Sequence, residues 1–317
     1  MPPLVVNTAP LVPVCSTWLQ QHVELVNCDH RQEQELHTQQ SRAEGLIIGS
    51  YLKVNDQLLD HAPHLKVVGR SGVGLETIDM KACQKRGIQV VYTPEANRQA
   101  VVEYVFALML DAFRPRTSIV GPIETDRYLE LRRTELGQQL DQLTLGILGL
   151  GRIGKRVGAV AHAIGMNLIV HDLLPEKQLR KEVDYPFEFV NMETLCRQSN
   201  VLTIHVDGRS ENRHLLGTNQ LTLLQPGCLL INAARGMIID TAALAQWAKE
   251  TADLNSRAIL DVLDPEPPVD DCPLFGLPNV RLLPHLASRT DTGLENMSWV
   301  VRDIWAVLQG NKPQFPA

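Results

Sequence analysis

A glycine-rich turn near the middle of the chain restricts the fold more than any other feature of the sequence. The apolar run Thr144–Leu148 predicts a strand, and the chain then passes through Gly149, Gly151 and Gly154 into a helical pattern that extends to Ile164. This spacing of glycines between a strand and a helix is typical of doubly wound α/β domains that bind a dinucleotide. The first glycine permits a tight turn, the second lets the backbone approach a pyrophosphate, and the third lets the helix pack close to the strand. The N-terminus of the helix directs N–H groups and a positive dipole end toward that anion.

The end of the next strand indicates which dinucleotide binds. The strand pattern Asn167–His171 leads into Asp172, close to the spacing of roughly 20 residues expected for the acid that contacts the adenine ribose. A carboxylate accepts a hydrogen bond from the ribose 2′-hydroxyl and repels a 2′-phosphate, and Leu173–Pro175 offer no cation. We therefore predict NAD as the cofactor, and we expect Arg152 and Ile153, between the glycines, to belong to the same site.

Short apolar runs alternate with helical patterns along most of the chain, which predicts parallel sheets. Before the glycine-rich turn, the predicted strands are Leu4–Val6, Gly45–Gly49, Leu65–Gly69 and Ile88–Tyr92, with helices near Val54–His61, Ile78–Arg86 and Arg98–Phe113. From the turn onward, the predicted strands are Thr144–Gly149, Asn167–His171, Val201–His205, Cys228–Asn232, Arg257–Asp261 and Val280–Leu283, and a final helix covers about Thr290 to Leu308.

This order of elements predicts an α/β fold with two doubly wound parallel-sheet domains. Because the glycine-rich unit begins in mid-chain, we expect a Rossmann cofactor domain inserted into a flavodoxin-like substrate domain. The predicted boundaries are 1–98 plus 288–317 for the substrate domain and 99–287 for the NAD-binding Rossmann domain.

Composition and charge exclude several other classes of protein. The formal net charge is −6 and no run of Lys or Arg forms a basic stripe, so we expect no nucleic-acid or membrane partner. The apolar helical pattern Ala100–Phe113 is short and contains two acids, so it does not predict a membrane span. The six cysteines form no CxxC pair, which predicts neither a metal site nor disulfides. Neither Lys nor Arg precedes Arg31, and we expect a cytoplasmic protein without a signal peptide.

Three polar side chains follow the last three predicted strands. Arg235 comes after Cys228–Asn232, Glu266 lies in the proline-rich loop Asp261–Pro268, and His285 comes after Val280–Leu283. Ligands bind at the carboxyl ends of the strands in open α/β sheets, so these side chains are candidates for one site. Taken singly, each has an ordinary explanation, as an ion-pair partner, a solvated acid and a satisfied histidine.

Together these segments resemble the D-isomer-specific 2-hydroxyacid dehydrogenase family. The resemblance also includes Val68–Gly74 and Asn219–Gly236 and covers nearly the whole chain. Within the family, Thr144–Gly154 and Pro284–Leu286 are most similar to phosphoglycerate dehydrogenases, and we expect the additional regulatory domain of some of those enzymes to be absent. The resemblance implies a homodimeric enzyme that transfers a hydride between NAD(H) and C2 of a small D-2-hydroxy or 2-keto acid, with 3-phosphoglycerate among the candidates.

The resemblance also implies a role for each side chain at the reacting centre. His285 is the expected proton donor to the carbonyl oxygen, since histidine titrates near neutral pH. Glu266 is expected beside it, where it would favour the imidazolium and orient the ring. Arg235 is expected to bind the substrate carboxylate through its planar fork. Backbone N–H groups of Val73 and Gly74 are expected on the other side of that carboxylate.

Three further positions are expected to contact the cofactor. By resemblance, Asp261 is expected near the nicotinamide amide, and His205 and Ala233 belong to the same cofactor site.

The sequence departs from the family pattern at several positions. After His205 the family usually has an apolar residue and a proline, whereas Asp207 stands at the proline position, where we expect a flexible turn and weaker cofactor binding. Gly49 replaces an arginine that phosphoglycerate dehydrogenases commonly have, which argues against a phosphorylated substrate. We hypothesise that Arg289, assisted by Lys53, receives a second anionic group; the alternative is that both are solvated surface residues.

Two alternative functions stay open at this point. One is an NAD(H)-sensing binding protein, similar to a corepressor, that retains the dehydrogenase fold. The other is a formate dehydrogenase, which resembles the chain less because it lacks the acid at the Glu266 position. The sequence identifies neither the particular 2-hydroxy acid nor the physiological direction.

Overall fold

The computed structural model describes residues 2–317, which divide into two compact units. One unit contains the chain up to Ala100 together with Ser288–Ala317, and the other contains Val101–Ala287. Each unit has a sheet whose strands are paired in parallel. The predicted fold class, two doubly wound parallel-sheet domains, is confirmed.

The sheet of the first unit has the flavodoxin-like strand order β2-β1-β3-β4-β5. Its strands are β1 (Leu4–Asn7), β2 (Glu24–Asn27), β3 (Gly45–Ile48), β4 (Val67–Arg70) and β5 (Gln89–Tyr92). All four residues of β1, β3 and β4 are buried, as expected for parallel strands covered on both faces.

The sheet of the second unit has the order β12-β11-β10-β9-β6-β7-β8. Its strands are β6 (Thr144–Leu148), β7 (Asn167–His171), β8 (Glu188–Phe189), β9 (Val201–Ile204), β10 (Leu229–Asn232), β11 (Arg257–Leu260) and β12 (Val280–Leu282). The strand β6 pairs with β7 on one side and β9 on the other, so the order reverses at β6. Ligands bind at such a reversal, outside the carboxyl ends of the strands.

Helices connect these strands and cover the sheets. In chain order they are α1 (Pro13–Gln20), α2 (Glu33–Gln40), α3 (Asp56–Asp60), α4 (Met80–Lys85), α5 (Arg98–Phe113), α6 (Thr125–Thr134), α7 (Arg152–Ile164), α8 (Glu176–Leu179), α9 (Met192–Gln198), α10 (Thr218–Leu221), α11 (Thr241–Thr251), α12 (Asp291–Ser298) and α13 (Val300–Leu308). Within residues 2–317, no helix combines the length and the hydrophobicity needed to cross a membrane.

Some elements of the first unit do not follow from the sequence pattern. The edge strand β2 is only partly buried, so it lacks the apolar run that marks the central strands. The helix α2 has mostly polar residues and buries only Leu36 and Gln40, so its helical periodicity is weak. The predicted final helix is divided into α12 and α13 at Trp299.

The last helix of the chain completes the core of the first unit. Alternate side chains of β4 point to opposite faces of the sheet, and Val67 joins the cluster that also contains Val300 and Ile304 of α13. The backbone of Gly69 lies so close to α13 that a Cβ atom there would overlap the side chain of Ile304. The packing of α13 on the sheet therefore depends on the absence of a side chain at residue 69.

We predict that Gly69→Ala lowers the free energy of unfolding by about 1–3 kcal/mol, the usual cost of overpacking a close-packed core. Adding Ile304→Val should recover part of the loss because it removes the Cδ1 atom nearest to the new methyl group. Urea denaturation measures both effects. Gly121→Ala, at a site where a Cβ meets no atom within 4 Å, serves as the control. An unfolding midpoint equal to wild type in Gly69→Ala would contradict the prediction.

Candidate active site

The glycine-rich turn lies at the point where the second sheet reverses its strand order. Gly149 has φ +92°, a left-handed conformation that favours glycine. A Cβ on Gly154 would overlap the carbonyl oxygen of Gly149, whereas a Cβ on Gly151 would meet no protein atom within 4 Å. The turn is therefore crowded on the side of the strand and open at the start of α7, where Arg152 and Ile153 form the first turn of the helix. This open space beside a helix N-terminus fits the pyrophosphate of a dinucleotide.

The carboxylate of Asp172 connects the end of β7 to the glycine-rich turn. One oxygen, Oδ2, accepts a hydrogen bond from the N–H of Leu150 at 2.6 Å, and Oδ1 accepts one from the N–H of Leu174 at 2.8 Å. Each carboxylate oxygen accepts more than one hydrogen bond, so the half-buried side chain retains capacity for ribose hydroxyls. The acceptor oxygens of Asp172 at this edge of the sheet thus fit the ribose hydroxyls of NAD.

His205 follows β9, which pairs with β6, and Ala233 follows β10, the next strand along the sheet. The Nε2 atom of His205 lies 3.0 Å from the hydroxyl of Thr203. Burial lowers the pKa of His205 far below its usual range, so the imidazole is neutral at pH 7. Ala233 directly follows β10 and is half-buried. Both residues lie at the carboxyl edge of the sheet, and their contact with the cofactor stays a prediction.

The turn after β9 is braced where the family usually has a proline. Asp207 accepts hydrogen bonds from Arg209, at 2.7 Å from Nε to Oδ1 and 2.5 Å from Nη2 to Oδ2. Asn212 donates to the backbone oxygen of Asp207 at 2.9 Å and to its Oδ1 at 3.1 Å. The side-chain hydrogen bond from Arg209 lowers the pKa of Asp207 and keeps it ionised. These contacts restrict a turn that was expected to be flexible. They also pair the negative charge of Asp207 with the positive charge of Arg209.

Arg209 also brings a cation near the predicted ribose acid. The pKa of Arg209 is raised mainly by its hydrogen bond to Asp207, and the charges of Glu211 and Asp172 add to the effect. The guanidinium therefore lies within electrostatic range of Asp172. The residues that follow Asp172 along the chain do not reveal this cation, because Arg209 follows the strand β9.

Arg235, Glu266 and His285 follow three adjacent strands, β10, β11 and β12. His285 Nδ1 donates a hydrogen bond of 2.9 Å to Glu266 Oε2, and Glu266 Oε1 accepts one of 2.9 Å from the N–H of Leu263. Burial alone would raise the pKa of Glu266, but the bonds from His285 and Leu263 and the charge of Arg235 bring it below its usual value. The three predicted side chains are thus brought together, with Glu266 ionised at neutral pH.

Asn232 shapes the loop that presents Arg235. Its buried side chain donates a hydrogen bond of 2.9 Å from Nδ2 to the carbonyl oxygen of Arg235, and its Oδ1 accepts one of 3.0 Å from the N–H of Ala234. Asn232 was predicted only as the last residue of the strand Cys228–Asn232. A polar residue at the end of an otherwise apolar strand is the signal that would have identified it, since buried polar groups require hydrogen-bond partners.

The backbone of His285 has an uncommon conformation. Its φ is +55°, in the left-handed region that residues other than glycine seldom adopt. Such conformations persist where the surrounding structure enforces them, and they cluster at functional sites. The N–H of His285 donates a hydrogen bond of 2.9 Å to the carbonyl oxygen of Asp261, the first residue after β11.

The loop predicted to bind the substrate carboxylate lies in the first unit. It contains Val73 and Gly74, and the buried Arg70 fixes it by donating a hydrogen bond of 2.9 Å from Nε to the oxygen of Gly74. Thr93 fixes the same loop through its hydroxyl, which accepts a hydrogen bond of 3.1 Å from the N–H of Gly72. The binding roles of Val73 and Gly74 stay predictions. Among the described residues, no group of three or more His, Cys, Asp or Glu side chains is arranged to hold a metal ion.

Comparison with known proteins identifies the family. A sequence model described as the NAD binding domain of D-isomer specific 2-hydroxyacid dehydrogenases matches residues 106–287, which is more than half of the chain. The chain belongs to this family. The prediction of the family and that of an NAD-binding domain are both confirmed.

Named relatives show how much of each protein is shared. A D-3-phosphoglycerate dehydrogenase of Archaeoglobus fulgidus is 33% identical over 85% of this chain and 50% of its own length. A glyoxylate reductase of Aeropyrum pernix is 35% identical over 82% of this chain and 78% of its own length. The crystal structure of a D-lactate dehydrogenase from Aquifex aeolicus, complexed with NAD and lactic acid, superimposes with a TM-score of 0.81 at 25% identity, covering 97% of this chain and 96% of that one. The chain therefore spans about half the length of the phosphoglycerate dehydrogenase that it matches.

We predict that Arg209→Ala weakens the binding of NADH by about three- to tenfold, because Asp207 then places an uncompensated negative charge near a dianionic cofactor. The double variant Asp207→Asn/Arg209→Ala should recover most of the affinity. Titration of NADH fluorescence measures these dissociation constants.

The variant Asp172→Ala, measured by the same titration, tests the predicted ribose contact. Asp172→Ala removes the predicted ribose acceptor, so it should weaken NADH and narrow its advantage over NADPH. Equal affinity for NADH in wild type and Arg209→Ala would show that the charge of Asp207 does not act on the cofactor.

Proposed function

We propose that the protein is an NAD-dependent oxidoreductase that transfers a hydride between NAD(H) and C2 of a small D-2-hydroxy or 2-keto acid. The observation that carries this proposal is the 2.9 Å hydrogen bond between His285 and an ionised Glu266, within electrostatic range of Arg235. A proton donor, a carboxylate that stabilises its charged form and a cation for the substrate are the groups that reduction of a keto acid requires.

Each of these side chains has a separate role in the proposed reaction. Because Glu266 engages Nδ1 of His285, the other ring nitrogen, Nε2, is the one that delivers a proton to the carbonyl oxygen during reduction. Arg235 holds the substrate carboxylate and polarises the carbonyl, and it is oriented by the bond from Asn232 to its backbone. In the oxidation direction, neutral His285 accepts the proton of the hydroxyl. When bound, NAD(H) supplies or accepts the hydride.

Residues 49 and 50 of the first unit bear on which acid is the substrate. Ser50 accepts a hydrogen bond of 3.1 Å from Arg70, and Gly49 beside it offers no side chain for a phosphate. This favours a small unphosphorylated acid such as glyoxylate over 3-phosphoglycerate.

Two exposed cations of the first unit are candidates for binding a second anionic group of the substrate. Arg289 directly precedes Thr290, the residue that caps α12, and the other is Lys53. Their proposed role toward a second anionic group stays a hypothesis. We also propose that the enzyme acts in the cytoplasm as a homodimer, as the family resemblance implies.

A panel of 2-keto acids, monitored by the absorbance of NADH, tests the proposed function. Glyoxylate, pyruvate and hydroxypyruvate represent small monoanions, and oxaloacetate and phosphohydroxypyruvate carry a second anionic group. Turnover of at least one of these keto acids supports the proposed enzymatic function. Tight binding of NADH without turnover of any member would instead favour the NAD(H)-sensing protein. Selective loss of turnover of oxaloacetate and phosphohydroxypyruvate in Arg289→Ala would assign the second anionic group to that residue.

We predict that His285→Ala lowers kcat for the best keto acid by roughly 10²–10⁴-fold, the usual effect of losing a general acid. The dissociation constant of NADH should change little because the side chain faces the substrate. His61→Ala, an exposed histidine of the first unit, is the control. Wild-type turnover in His285→Ala would assign the proton to another group.

We predict that Glu266→Gln moves the pH profile of keto-acid reduction to lower pH. The carboxylate has a pKa below its usual value, so it is charged throughout the neutral range and stabilises the protonated donor. An amide carries no charge, so the donor form is lost at a lower pH and activity falls earlier as pH rises. The profile of kcat/KM measures the shift. Glu193→Gln, an exposed ion-pair partner of Arg197, should leave the profile unchanged.

A further inference from the structure

A cavity lies at the amino edge of the second sheet, opposite the edge that carries the cofactor site. Its volume is about 160 Å³, several times the roughly 30 Å³ that a water molecule occupies in the liquid. Leu143 and Asn200, which directly precede β6 and β9, line it together with Arg257, the first residue of β11. Side-chain amides of Gln138 and Asn255 complete its polar wall, and among the described residues no acid lines it. The cavity is therefore separate from the cofactor site and differs from it in its chemistry.

Arg257 brings a guanidinium to this cavity with most of its hydrogen-bonding capacity unused. Its Nη1 donates to the carbonyl oxygen of Ala112 near the end of α5, and its Cζ lies 5.1 Å from the centroid of the Phe113 ring. Its Nε is buried and has no hydrogen-bond partner among the described residues. Arginine carries several N–H donors in a fixed fork, and a buried donor without an acceptor is costly. An acceptor in the cavity would relieve this cost.

The charge of Arg257 is not balanced by a neighbouring carboxylate. Burial lowers the pKa of Arg257, and no acid in the described part of the chain opposes that shift. The dipole of α5 offsets part of the charge, since the carbonyl end of a helix carries about half a negative charge. Arg180 provides a comparison within the same unit, because it also lies over a phenylalanine ring, Phe187, and donates to a backbone carbonyl, but it has Glu176 as an ion-pair partner at 2.6 Å. The cavity lies beside the guanidinium that lacks such a partner.

Asn200 adds an oriented donor to the wall of the cavity. Its Oδ1 accepts a hydrogen bond of 2.8 Å from the N–H of Thr144, which fixes the orientation of the side-chain amide. The Nδ2 group on the other side of the amide is a donor only, so it suits an acceptor in the cavity. On the adjoining wall, the N–H of Gly227 donates a hydrogen bond of 3.0 Å to the hydroxyl of Ser256, so this backbone is also fixed. A cation and an amide donor, without an acid, suit an oxyanion.

We propose that this cavity binds a small oxyanion, a carboxylate or a phosphate, through the guanidinium of Arg257 and the amide of Asn200. The oxygens of such an ion accept hydrogen bonds from donors that the protein leaves without a partner, and its charge balances that of the arginine. The volume suits an ion of a few atoms and is too small for a dinucleotide. The site lies at the opposite edge of the sheet from the glycine-rich turn, so the ion and the cofactor bind at the same time. The proposal does not rest on the proposed hydride transfer.

Titration of the NADH-saturated protein with inorganic phosphate tests the site. Bound NADH occupies the start of α7, where a helix N-terminus would otherwise attract phosphate as well. The amide signal of Gly227, a lining residue, reports binding at the cavity in two-dimensional nitrogen–proton NMR spectra. We expect a saturable shift with a dissociation constant of about 1 mM, as for an ion held by a few charge-assisted hydrogen bonds. A second titration with acetate shows whether a carboxylate also binds, and chloride at equal ionic strength is the control for charge alone.

Two variants and a matched control assign the binding to the cavity. Arg257→Met removes the charge and keeps a long side chain, and we expect the dissociation constant of the oxyanion to rise more than about tenfold. Arg180→Met removes a guanidinium in a similar setting that does not line the cavity, so the affinity should stay at the wild-type value. Asn200→Asp keeps the acceptor for the N–H of Thr144 but adds a negative charge to the wall, so it should also abolish binding. If Arg257→Met does not fold, Asn200→Asp decides.

Any one of three results would overturn the proposal. The first is the absence of a saturable shift of the Gly227 amide with either phosphate or acetate. The second is an equal shift with chloride, which would indicate a general response to salt. The third is wild-type affinity for the oxyanion in a folded Arg257→Met or Asn200→Asp variant. Because the measurement needs no turnover, it tests the cavity even if the protein reduces no keto acid.

Discussion

Parallel pairing of the seven strands in the second sheet fixes which loops meet. All carboxyl ends lie at one edge, so segments far apart in the sequence become neighbours once their strands pair in order. The glycine-rich turn follows β6, Asp172 follows β7, and His205 follows β9 on the other side. The loops with Arg235 and His285 follow strands farther along the same edge. The sheet therefore sets the cofactor site and the reacting groups in one row, and hydrogen bonds between the loops, such as those from Leu150 to Asp172 and from His285 to Glu266, join neighbouring members of that row.

Charges along this edge are balanced locally. Ionised Glu266 faces His285 and lies in the field of Arg235, and the acid at position 207 is matched by Arg209 two residues later. An exposed pair such as Asp207–Arg209 contributes little to stability, so its value lies in setting the potential experienced by an anionic cofactor and an anionic substrate. A departure from the family pattern at one position is thus accompanied by a compensating residue nearby.

The sequence predicted the central elements well and the peripheral ones poorly. The strands β6, β7 and β9 form buried apolar runs, and such runs are visible in a single sequence. The polar helix α2 and the edge strand β2 have little buried surface, so their patterns carry no comparable signal. Arg235 and His285 were found because a family motif surrounds them. Asn232 acts through buried hydrogen bonds to the backbone of the loop that follows its strand, and neither periodicity nor spacing reveals such partners.

The close approach of α13 to Gly69 has a consequence for synthesis on the ribosome. The second unit is one continuous segment of chain, so all its strands have emerged before the final helices are made. The first unit, by contrast, takes Val300 and Ile304 of α13 into its core, so part of one apolar face of its sheet stays uncovered until these residues have been made. Domains generally fold as units during synthesis. The second unit can therefore complete its fold before the first unit does, although the first unit contains the residues that are synthesised earliest.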